Sequence, residues 1–169
     1  MMSPMTQPRK VGGDAFSDRY TWANLFVVVP KASPDSESLR AAMDEMRAFV
    51  RERQSGCGML VIVEAGSKML DRPMLEELSK GIRELEGNLR ALAVLITATG
   101  FLHAVVPVVG LLMRRSSRKY PRNLTRTSSE TGAWLAPYLT GPEQSIDAAG
   151  VTSAIEAMRG MVRAGAGAS

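Results

Sequence analysis

The sequence predicts an α/β fold, a mostly parallel sheet of four to five strands packed by about four helices. Three observations point to it. The continuous apolar runs LFVVV at 25–29, MLVIV at 59–63 and LAVLIT at 92–97 have the length and branching of strands buried on both faces. Stretches with apolar residues at helical spacing alternate with those runs. Short connections rich in Gly, Ser and Pro join the two kinds of element. Such alternation is the pattern of repeated βα units.

The 169 residues suffice for one domain with a core and tails. Residues 1–18 hold Pro4, Pro8, Gly12 and Gly13 among scattered polar groups and read as a disordered arm. The domain proper is placed at 19–141. Leu25–Val29 is its first long strand, ended by Pro30, and Tyr20–Ala23 either extends it or forms an edge strand. Ser33 as cap and Pro34 as first helical residue open a helix whose stripe is Leu39, Met43, Met46 and Val50. After the strand Met59–Val63, a helix from about Asp71 to Glu86 presents Met74, Leu78, Ile82 and Leu85.

Leu92–Thr97 is the third buried strand, and a helix runs from about Leu102 to Arg118, with Pro107 in its first turns. Asn123–Arg126 is a short fourth strand. Thr127-x-x-Glu130 is a capping box that opens a helix through Trp134, Leu135 and Leu139. Residues 142–169 read as a tail, with an amphipathic helix over 144–163 marked by Val151, Ile155, Met158 and Val162.

The run 91–113 has no formal charge and is long enough to cross a bilayer, so membrane attachment is an alternative. The switch from branched residues to Thr97, Thr99 and Gly100, with His103 and Pro107 near its middle, favours a strand, a turn and a helix. MMSPMTQPRKVGG lacks the apolar core of a signal peptide. A single cysteine, Cys57, leaves no internal disulfide and suits a reducing, cytoplasmic setting.

Chemistry is sparsely represented. One His and one Cys are too few soft ligands for a typical zinc site, so no metal and no cofactor is expected. His103 has no nucleophile elbow near it, and Gly56-x-Gly58 precedes a strand, the wrong order for a dinucleotide loop. Glu64, at a strand end, either faces a crevice or caps the following turn. No catalytic residue is assigned.

Charge is the more telling signal. From Glu86 to Glu130 no acidic residue intervenes, while Arg90, Arg114, Arg115, Arg118, Lys119, Arg122 and Arg126 are all basic. The last six form a candidate basic rim. A helix C-terminus accounts for some of them through its dipole. The density of the cluster points to an acidic protein partner, with nucleic acid or anionic lipid as weaker candidates and a second copy of the chain as another.

The segments LFVVVP, MLVIVEAGS, RALAVLITATGF and NLTRTSSETGAWLAPYL, in that order, resemble the STAS-like domain family, the fold of the anti-sigma-factor antagonists. The resemblance spans roughly residues 20–140. It implies a single STAS-like domain acting by protein–protein binding in bacterial signalling, without enzymatic activity. Phosphorylated antagonists carry a serine in an Asp-Ser-Ser-Gly-like turn after the central strand. Ser67-Lys68-Met69-Leu70-Asp71 lacks that motif, and Ser67 precedes the expected position. The alternative to a protein-docking module is a small-ligand or anion-binding domain using the strand ends near Ser67, Gly100 and His103.

Overall fold

The computed structural model describes residues 7–32, 35–65, 71–85, 87–97, 110, 114 and 119–167. Six strands form one sheet in the order β1-β2-β3-β4-β5-β6: Arg9–Gly13, Ser17–Trp22, Leu25–Pro30, Cys57–Val63, Leu89–Ile96 and Arg122–Thr125. The first two pairings are antiparallel, and the three from β3 to β6 are parallel. Four helices are described: α1 at Ser36–Arg51, α2 at Arg72–Glu84, α3 at Ser128–Leu139 and α4 at Ala148–Ala166. The α/β class and the mostly parallel sheet are as the sequence predicts, with one strand more at the N-terminal side.

That extra strand is a correction to the disordered arm read over 1–18. β1 lies inside it and β2 begins at its end. The two are joined by a turn in which the Asp14 carboxylate accepts from the Phe16 and Ser17 N–H groups at 2.8 and 2.9 Å. RKVGG has no apolar alternation, so its strand state comes from pairing with β2 and was not legible in composition.

Because strand side chains alternate, the sheet has two apolar faces. Tyr20, Trp22, Leu25, Val27, Leu60, Ile62, Ala93 and Leu95 meet α3 and α4 on one face. Phe26, Met59 and Leu92 meet α1 and α2 on the other, through Met43, Met46, Phe49 and Ile82. Burying each large aliphatic side chain contributes about 1.5–3 kcal/mol.

The helices differ from expectation in three details. Asp35, not Ser33, caps α1, accepting from the Ser38 N–H at 2.8 Å. Its stripe of Leu39, Met43, Met46 and Val50 is buried as expected, joined by Phe49. In α2 and at its cap, the expected Ile82 and Leu85 are buried, while Met74 and Leu78 are only half-buried and Leu75, Ser79 and Gly81 are buried beside them. Gly81 faces α1, where the end of the Met43 side chain occupies the place a Cβ would take. The capping box of α3 holds, with a shift: Thr127 Oγ1 accepts from the Glu130 N–H at 3.1 Å, but Glu130 reaches back to the Arg126 N–H at 2.9 Å.

The tail read over 142–169 is corrected more substantially. α4, capped by Asp147, buries Val151, Ala154, Ile155 and Met158 in the same core as α3. Its stripe was legible; its place in the core was not. The helices cross at Gly132, where an added Cβ would lie 2.7 Å from the Ala148 carbonyl oxygen.

The 91–113 run is not one membrane-crossing helix, because its first six residues belong to β5, bonded to β4 on one side and β6 on the other. Among the described residues no helix is long and apolar enough to cross a membrane. Gly110 and Arg114 are helical, within the helix expected there.

Two stability outcomes follow from this geometry. Gly132→Ala should lower the unfolding free energy by about 1–3 kcal/mol in urea titration, since a backbone carbonyl must move. Ala23, in the β2–β3 turn, has φ +48°, a region costly to residues with a Cβ. Ala23→Gly should therefore stabilise the fold by about 0.5–1 kcal/mol, read by the same titration.

Candidate functional site: the strand ends and the basic edge

Two regions carry the chemistry. The first lies at the C-terminal ends of β4 and β5, where α/β folds commonly hold ligands. Thr97 continues the ladder beyond β5, its N–H bonding to Val63 O at 3.0 Å. Its hydroxyl reaches Glu64 Oε2 at 3.2 Å. Glu64 Oε1 accepts from Arg159 Nε of α4 at 2.5 Å. Arg159 Nη1 bonds to Glu156 Oε1 at 2.7 Å, and the Ser128 hydroxyl at the start of α3 donates to that same oxygen.

This is a closed set of partners. The hydrogen bond from Ser128, ahead of those from Arg159, holds the Glu156 carboxyl below the ordinary glutamate range in spite of the desolvation that opposes it. A carboxylate held ionised in this way is a poor base for the Ser128 hydroxyl, because general-base catalysis wants a pKa near the working pH. The cluster therefore works as a clamp between α4 and the sheet. Beside it, the fully buried Thr125 and Thr131 hydroxyls lie 2.6 Å apart and tie β6 to α3.

Glu64 was read from the sequence as a crevice or capping residue, and its partner Arg159 was missed. The signal was present: Glu156 and Arg159 lie three apart beside the Val151–Ile155–Met158 stripe, but nothing local says which strand end they reach. Ser67, Gly100 and His103 lie outside the described residues.

The second region is the basic rim. Lys119 and Arg126 are exposed and Arg122 is half-buried. Arg114 is exposed, its Nε donating to Gly110 O at 3.2 Å. Arg115 and Arg118 lie outside the described residues. Arg122 opens β6 and Arg126 follows its end, so at 3.3 Å per residue they stand about 13 Å apart. Of the described cations, Arg114 is helical, while Arg122 and Arg126 thus lie along the β6 border. At its far end the Glu130 carboxylate is already engaged by the Arg126 N–H.

An aromatic pair stands near this border. Trp134 and Tyr138, half-buried, have ring centroids 5.0 Å apart. Sequence reading placed Trp134 on the helix without seeing the pair.

Cys57 is not a reactive thiol. Burial, against the opposing influence of Arg53 and Arg90, pushes it up to about 11, and the Sγ is directed to Asn88 O at 3.8 Å. Compared with known proteins, the chain matches no family model, no curated protein and no solved structure.

Two measurements check these assignments. In the native protein Cys57 should resist a thiol reagent such as dithionitrobenzoate and react fully once unfolded. For Glu156, a folded pKa below the usual 4.5 gives stability that is present above that value and lost as pH falls through the folded one. Ser128→Ala should therefore be less stable than the parent near neutrality, with the gap closing as pH falls below 4.5 through the folded value in urea titrations.

Proposed function

We propose that the protein is a non-enzymatic regulatory module of STAS-like type, acting in the cytoplasm by binding an acidic protein partner in bacterial signalling. The observation that carries this reading is the run of cations from Arg114 to Arg126, in a stretch with no acidic residue between Glu86 and Glu130. Support for the STAS-like assignment comes from the element order among the described residues: a hairpin, a third strand, two helix–strand repeats, a short strand, and a Thr-capped helix bearing Trp134-Leu135. A binding role also suits the chemistry at the strand ends, where Glu64, Glu156 and Arg159 satisfy one another. That mutual pairing counts against the competing reading of a small-ligand or anion site there.

Exposed charges are screened over about 10 Å at 0.1 M salt, so the complex should weaken as salt rises. The partner is first recovered by affinity purification of the full chain and then purified. Reversing Arg114, Arg115 and Arg118 to Glu should slow its association by roughly tenfold at low salt, because such charges steer encounter. The fold should survive, since charges near helix ends contribute about 0.3–1 kcal/mol each. An affinity indifferent to both salt and charge reversal would overturn the proposal.

A further inference from the structure

We infer that the outer edge of β6 is a docking strip on which an extended acidic segment of the partner protein adds as a further strand. This rests on the proposed function and specifies how that partner is held. Among the described residues β6 is the last strand of the sheet, paired to β5 alone. The Leu92 N–H bonds to Pro121 O, so the alternation of the strand turns the backbone groups of Leu124 to the side away from β5. Added strands gain affinity from such backbone groups and specificity from alternate side chains.

Charge names the occupant. Lys119 and Arg122 stand at the start of the strand and Arg126 just past its end. The nearest acid in sequence, Glu130, is directed to the Arg126 N–H. The aromatic pair supplies the rest of the surface. α3 packs over β4, β5 and β6 while α4 reaches across to β2. Gly132 turns one flank of α3 to α4. Trp134 and Tyr138, two and six residues further along and so about 200° and 240° round the helix, occupy the opposite flank, the one on which Thr131 meets Thr125 of β6. Trp, Tyr and Arg are the residue types that dominate binding hot spots.

The pattern sought in the partner follows from the register. Arg122 and Leu124 share one face of the sheet, so carboxylates four residues apart would meet Arg122 and Arg126. The residues flanking the central one would turn to the face carrying Trp134 and should be apolar. The segment is thus acid–apolar–any–apolar–acid in an extended state.

The test uses the full chain and the blocked peptide acetyl-Thr-Glu-Val-Thr-Val-Glu-Thr-amide, followed by amide and indole NMR with hydrogen exchange. Saturable binding that slows exchange at Leu124 and shifts the Trp134 indole is expected. Arg126→Glu, or N-methylation of the peptide backbone at unchanged charge, should weaken it at least tenfold. No saturable binding, unchanged Leu124 exchange, or equal binding of the N-methylated peptide would overturn the inference. If Arg126→Glu leaves the natural partner's affinity intact while the Arg114, Arg115 and Arg118 reversal abolishes it, the strip falls and the docking function stands.

Discussion

The whole arrangement depends on β4 and β5 being buried on both faces. Leu60 and Ile62 point to one side and Met59 to the other, and every residue of β5 but Arg90 is buried. A parallel sheet of this kind is stable only when both faces are covered, because neither can be left to water. α1 and α2 cover one face. The other needs α3 and α4 together, which is why the C-terminal helix belongs to the core and leaves no short domain behind it.

Polar groups then manage the margins of that core. Arg19 on β2 is only 3% exposed, and it bonds Glu45 of α1 through two nitrogens, Nε at 2.5 Å and Nη2 at 3.0 Å. It also reaches Asp14 at 3.1 Å and Ser17 at 2.8 Å. Burial opposes its charge, but the bonds to Glu45 and Asp14 outweigh it and hold the guanidinium above the ordinary arginine range. Unpaired, such an ion would cost several kcal/mol. Arg159 plays the corresponding part at the opposite margin, joining α4 to the end of β4. One arginine therefore fastens the N-terminal hairpin and another the C-terminal helix.

The polar groups so used are not available for chemistry. Glu64, Glu156, Ser128 and Thr97 are committed to one another, and Cys57 is shielded by the core that buries it. What the described surface offers is a border of cations beside β6, with a tilted pair of rings on the neighbouring helix. The proposed docking of an anionic, extended protein segment would draw on those features and ask nothing of a nucleophile.

The sequence by itself determined the central strands, the stripes of α1 and α4, the Thr127 cap and the basic character of 114–126. Each is written locally, in the branching of LAVLIT, the spacing of Leu39-Met43-Met46-Val50, or the absence of acids. Tertiary structure alone decided the rest. β1 exists because β2 and the Asp14 turn pair it, not because RKVGG favours a strand. Gly81 of α2 meets the end of the Met43 side chain of α1, a fact about two helices at once. Glu64 finds Arg159 across 95 positions. Periodicity specifies which face a residue takes on its own element; which neighbour that face meets is set only when the sheet brings distant segments together.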